Sequence, residues 1–61
     1  MTKRQKEILQ LLACGLEAGQ IGARLGITGR TVEWHIARMF RAFRAHKSCE
    51  LIYKAVKQKI I

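Results

Sequence analysis

Apolar residues recur along this chain at helical spacing, and the breaks between the runs fall on glycines and small polar residues. A first helix is expected over about residues 3–13, with Ile8, Leu9, Leu11, Leu12 and Leu16 as its apolar face and exit. Thr2 is a good N-cap, and Gln5 follows at capping-box spacing. Gly15 stands where a left-handed residue closes such a helix. A short second helix fits residues 18–25, with Ile21 and Leu25 inward and Glu17 as a weak cap. Leu16 and Ile21 have the spacing of a hydrophobic staple. Gly22 inside this helix costs up to about 1 kcal/mol relative to Ala, which is tolerable where another helix must approach closely. Gly26 ends it.

The third helix has the cleanest pattern. Thr28 caps it, and it runs to about Phe43 or Arg44, so residues 28–44 enclose it. Val32, Ile36, Met39, Phe40 and Phe43 recur on one face, while Arg30, Trp34, Ala37, Arg38 and Arg41 share the other. A fourth helix is expected over about residues 48–60, with Glu50 in its first turn where the macrodipole favours a negative charge. Cys49, Ile52, Tyr53, Val56 and Ile60 make its expected apolar stripe, and Leu51 and Ala55 form a flanking face. The fold class is therefore all-α: a compact four-helix bundle, one domain over residues 1–61. Helices two and three are joined only by Gly26-Ile27-Thr28, which is helix-turn-helix spacing.

Composition narrows the function. Twelve Lys and Arg face four Glu, a net charge of +8 on 61 residues, and such an imbalance points to a polyanion, most simply nucleic acid, which with the helix-turn-helix spacing makes double-stranded DNA the expected partner. No stretch approaches the roughly 18 apolar residues of a membrane span. The basic start Met1-Thr2-Lys3-Arg4 is not followed by the apolar run of a signal peptide. Two cysteines do not make a disulfide scaffold, so free thiols in a reducing cytoplasm are expected, with the chain on the nucleoid when bound to DNA.

Catalysis finds no support. Glu7, Glu17, Glu33 and Glu50 are scattered, Ser48 is the only serine and is expected at a helix N-cap, and no phosphate loop or nucleophile elbow is present. Cys14, His35, His46 and Cys49 lack the paired spacing of a zinc site, so no metal and no cofactor are expected. Cys14 reads instead as a small buried hydrophobe, and His35 as a hydrogen-bonding histidine at the edge of the core.

The basic face of the third helix is the remaining candidate site. Arg30, Arg38 and Arg41 cluster there, Arg44 and Lys47 continue past the end, and the only Trp sits among them. In a helix-turn-helix this is the element that enters the major groove. Thr28 and Thr31, with the first-turn N–H groups, suit a phosphate. Arg30, Arg38 and Arg41 suit phosphates or guanine edges. Trp34 could meet a thymine methyl or a sugar, or pack on a neighbouring helix. Glu33 has two readings: it accepts from cytosine N4, or it pairs with Arg30 one turn earlier.

These residues carry a resemblance. Thr2-Lys3-Arg4 with Glu7-Ile8-Leu9, then Ala13-Cys14-Gly15-Leu16, Ile21 to Leu25, Ile27-Thr28 and Thr31-Val32-Glu33-Trp34-His35 resemble the motifs of the LuxR-type (GerE-like) DNA-binding domain of bacterial transcriptional regulators. The resemblance covers essentially the whole chain. It implies a four-helix bundle whose third helix reads the major groove, acting as a sequence-specific transcriptional regulator. It further implies a homodimer on an inverted repeat, formed through the fourth helix, for which Leu51 and Ala55 are the expected residues. RNA polymerase is a further candidate partner. By position, base contacts would fall on Glu33, Trp34 and Ala37, and backbone contacts on Thr28, Arg30 and Thr31. Glu33 stands where Lys is usual, Arg38 where Asn is usual, and Ala42-Phe43 where Lys-Leu is usual, so the operator would differ from the family's. The competing reading is a protein-interaction module that keeps the fold and has lost sequence-specific DNA binding.

Overall fold

The computed structural model describes residues 2–61; Met1, the first residue of the expected domain, lies outside them. Four helices follow one another: α1 (Lys3–Ala13), α2 (Ala18–Leu25), α3 (Gly29–Phe43) and α4 (Ser48–Lys57). The starts follow from side chains placed to take up free backbone N–H groups. Thr2 Oγ1 accepts from the Gln5 N–H at 3.1 Å and Gln5 Oε1 accepts from the Thr2 N–H at 3.2 Å, the capping box expected there. At α2, Gln20 Oε1 accepts from the Glu17 N–H at 2.8 Å. At α3, Thr28 Oγ1 accepts from the Thr31 N–H at 3.1 Å. α4 differs: Lys47, not the expected Ser48, is its N-cap and makes no side-chain capping bond, while Glu50 accepts from the His46 N–H just before the helix at 2.8 Å.

All four helices end with the same device, a left-handed residue followed by a backbone N–H that reaches back to the last turn. In α1 and α2 that residue is Gly15 (φ +94°) or Gly26 (φ +74°). In α3 it is Arg44 (φ +54°), after which the Ala45 N–H donates to the Phe40 carbonyl at 2.9 Å. In α4 it is Lys59 (φ +59°), and the Ile60 N–H donates to the Ala55 carbonyl at 2.9 Å. This corrects the expected span of the fourth helix: it stops at Lys57, not at residue 60, because Lys59 turns the chain back. Ile60 and Ile61 then pack against the core.

The core consists of Ile8, Leu9, Ile21, Val32, Met39, Ala45, Leu51 and Ala55, and it contains no polar side chain. The faces expected for α1, α2 and α3 are the ones that turn inward. The face of α4 is a correction. Leu51 and Ala55, expected on a flanking surface, are fully buried, while Tyr53 and Val56 are 63% and 54% exposed and Cys49 is exposed with them. Of the expected stripe only Ile52 and Ile60 pack on the core. Tyrosine inside would bring a hydroxyl into a core that offers it no partner, a cost of about 1–3 kcal/mol. Burying Leu51 instead gains about 2 kcal/mol. Cys14 is a second correction: it closes α1 at the surface and is exposed.

α2 and α3 meet backbone to backbone. A Cβ added at Gly22 would stand 2.6 Å from the Ile27 carbonyl oxygen and 3.0 Å from the Gly29 nitrogen. A Cβ at Gly29 would stand 3.3 Å from the Gly19 Cα. At the other end of α3, Lys54 of α4 donates from Nζ to the carbonyls of Phe43 and Arg44, at 3.0 and 3.1 Å. A cation is thereby held at the negative end of the α3 dipole. Both ends of α3 are thus fixed by neighbouring elements, and its middle is fixed by Val32 and Met39 in the core.

Two stability predictions follow from these contacts. Gly22→Ala is expected to lower stability by about 1–2 kcal/mol, because the clash outweighs the gain of about 1 kcal/mol in helix propensity. Gly19→Ala, whose added Cβ meets nothing within 4 Å, is expected to be neutral or slightly stabilising. Thermal unfolding of the two variants side by side checks the opposite signs. Arg44→Gly relieves the left-handed strain and is expected to raise stability by about 1 kcal/mol, seen as a rise of several degrees in Tm.

Candidate nucleic-acid interface

The outward face of α3 is built by subtraction. Once Val32 and Met39 are buried and Ile36, Phe40 and Phe43 lie against the core, helical geometry leaves the opposite side to the solvent. Thr28, Arg30, Thr31, Glu33, Trp34, Ala37, Arg38 and Arg41 are all exposed on it or at its cap. Every residue expected in the interface is therefore on one accessible surface of one helix and its cap, free for a partner to reach.

The start of α3 is a donor cluster. Thr28 Oγ1 holds the Thr31 N–H, and the two threonine hydroxyls lie 2.9 Å apart and share one hydrogen. The other hydroxyl hydrogen remains for an outside acceptor. The N–H groups of Gly29 and Arg30 have no acceptor within the helix by virtue of their position in its first turn. Dipole, N–H groups and hydroxyl together favour an anion here.

The middle of the face carries an aromatic stack. Trp34 is 56% exposed, so the ring is not buried against another helix. The Arg38 guanidinium carbon lies 4.9 Å over its centroid, and the His35 ring meets its edge at 5.0 Å and 75°. The cation–π contact, worth about 0.5–1 kcal/mol at an exposed site, restricts an otherwise floppy arginine. His35 is half-buried as expected of a core-edge residue, but its Nδ1 is buried with no hydrogen-bond partner. The expectation that it is a hydrogen-bonding histidine fails at that atom.

Glu33 does not pair with Arg30. The one ion pair among the described residues joins Arg4 and Glu7 at 3.7 Å, so the pairing alternative for Glu33 is not realised. Arg30, Arg38 and Arg41 likewise have no carboxylate partner among the described residues. Arg41 forms a ridge between two shallow hollows. One, of about 480 Å³, runs between α1 and α3 along Gln5, Arg38, Met39, Ala42 and Phe43. The other lies along Phe40, Arg44, Ala45 and His46. Gln5 and His46 are neighbours of the basic face that the helical pattern of α3 could not reveal, because they arrive from other elements. Among the described residues no group of three or more His, Cys, Asp or Glu comes together to hold a metal ion. Among the described residues no helix is long and apolar enough to cross a membrane.

The family model of bacterial regulatory proteins, luxR family (GerE), matches residues 1–55. Neither a curated protein nor a solved structure matches the chain significantly. With the family model spanning all of α1, α2 and α3 and most of α4, the chain belongs to the luxR family of bacterial regulatory proteins, a DNA-binding regulatory family and not an enzyme family.

Proposed function

We propose that this chain is a sequence-specific DNA-binding domain of a bacterial transcriptional regulator, with α3 as its recognition helix in the major groove. The observation that carries the reading is the outward face of α3. Three arginines without carboxylate partners flank an exposed, arginine-stacked Trp on the second helix of a helix-turn-helix. Thr28, Thr31 and the first-turn N–H groups, with Arg30, would clamp a phosphate at one end of the face, and Arg41 would do so at the other. That leaves Glu33, Trp34, Ala37 and Arg38 over the base edges. On this reading the protein works in the bacterial cytoplasm, on the nucleoid when bound, with RNA polymerase as a candidate contact at the promoter.

A homodimer on an inverted repeat fits the same reading, but through a different part of α4 than the sequence suggested. Leu51 and Ala55 are in the core of the single chain, so the surface available to a second copy is Tyr53 and Val56 with Cys49 beside them. Lys57 stands 5.7 Å over the Tyr53 ring and rims the patch with charge. Three exposed residues are few beside the roughly 20–30 residues a side of a stable interface, so the copies would pair on adjacent half-sites and not in free solution.

Selection from a random duplex pool at two salt concentrations tests the function. Steep salt dependence with an enriched inverted repeat is expected; steep dependence with no motif would return the protein-interaction reading. Arg41→Ala is expected to weaken binding to all duplexes by a similar factor and to make the salt slope shallower by about one unit. Equal affinity before and after would remove Arg41 from the phosphate contacts. Val56→Asp is expected to abolish cooperative binding to the inverted repeat while leaving single half-site affinity intact, as read by gel shift on both duplexes.

A further inference from the structure

Glu33 is the one acidic side chain of α3, and it stands on the outward face among Arg30, Arg38 and Arg41 in a chain of net charge +8. Attraction from its surroundings would favour an internal ion pair, yet none forms. Arg30, one turn earlier, is not within salt-bridge distance, and the Arg38 guanidinium is over the Trp34 ring. Ala37, one turn later, has no side chain long enough to engage the carboxylate or to cover it. Glu33 is therefore exposed, ionisable and uncommitted at the place where the helix would face a duplex.

Resting on the DNA-binding reading above, we infer that Glu33 is a specificity determinant that selects cytosine in the major groove. A carboxylate is an acceptor only, so against DNA it needs a donor and is repelled by phosphate. The major-groove edge offers two exocyclic amine donors, cytosine N4 and adenine N6. Adenine sets its N7 acceptor beside N6, which repels a second carboxylate oxygen. Cytosine N4 has C5–H beside it on its own base and only the paired guanine O6 as a flanking acceptor, whereas adenine N6 lies between its own N7 and thymine O4. The carboxylate thus discriminates among the bases by charge, rejecting guanine and thymine for lack of a donor and adenine for its N7. Its cost near phosphates is uniform across sequences, so it lowers nonspecific binding while leaving the cytosine site favoured. The negative charge works as a filter and not as an anchor.

The test compares wild-type protein with Glu33→Gln and Glu33→Ala by selection from a random-sequence duplex pool, followed by competition binding. Wild-type protein is expected to enrich a motif with cytosine at one position per half-site, preferred by about tenfold over other bases. Glu33→Gln should lose that preference and move toward adenine, whose N6 and N7 match an amide, while the rest of the motif persists. Glu33→Ala should lose it without gaining adenine. Both variants should bind random duplex more tightly, because one like charge is gone. A motif unchanged in both variants, with affinity raised by the same factor on every duplex, overturns the assignment of Glu33 alone. A wild-type pool with no enriched motif overturns the sequence-specific reading itself, and this inference with it.

Discussion

The approach of α2 to the start of α3 is the constraint on which the rest of this small structure depends. Gly22 allows the backbone of Ile27 to Gly29 to lie directly on the helix, nearer than any side chain would permit. That contact fixes where α3 begins and how it is rotated about its axis. Rotation is what matters for function, because turning a helix by one residue moves each side chain about 100° round the axis. With Val32 and Met39 seated in the core, Glu33, Trp34 and Ala37 are forced outward. A rigid turn made of backbone atoms is better suited to hold such an orientation than flexible side chains are.

The other end of α3 is held by charge. Its last carbonyls receive the Lys54 ammonium from α4, so the basic protein turns one of its cations inward to fix α3. The arginines remain at the surface without carboxylate partners, and their mutual repulsion is the cost of a surface made for a polyanion. A core of eight small and medium apolar residues tolerates this because side-chain hydrogen bonds brace the starts of α1, α2 and α3 and left-handed residues close the ends of all four helices. Caps worth about 1 kcal/mol each are a large share of what a domain this size can accumulate.

Local signals in the sequence were sufficient for most of the fold. Thr2 with Gln5, Thr28 with Thr31, Gly15 and Gly26 announce helix ends through short-range hydrogen bonds and left-handed backbone, and these depend only on neighbouring residues. The exposed face of α3 was legible for the same reason, since its two sides differ sharply in polarity. α4 was not. Its apolar residues form two stripes, Leu51 with Ala55 and Cys49 with Tyr53 and Val56, and no periodicity tells which one faces a core. The choice is made by the other three helices, which have room for Leu51 and no partner for a tyrosine hydroxyl. The end of α4 was hidden too, because Lys59 takes the left-handed position where glycine would have marked it. Cys14 and the unpartnered Nδ1 of His35 are likewise outcomes of packing.

Within the candidate site the sequence could name residues but not their company. Trp34 and Arg38 share a face by spacing; that the guanidinium settles on the ring, while Glu33 stays uncommitted, is visible only in three dimensions. This arrangement gives the face a definite chemical order. The cation beside the tryptophan is restrained before any partner arrives, so less side-chain entropy remains to be lost on binding. The carboxylate next to it is left with unfilled acceptors in a field of positive charge. A surface meant only to attract phosphate would gain affinity by replacing that carboxylate with a lysine or an alanine. On the proposed reading, a negative charge on a basic face would lower affinity for every duplex alike, and what it could return is a difference between sequences.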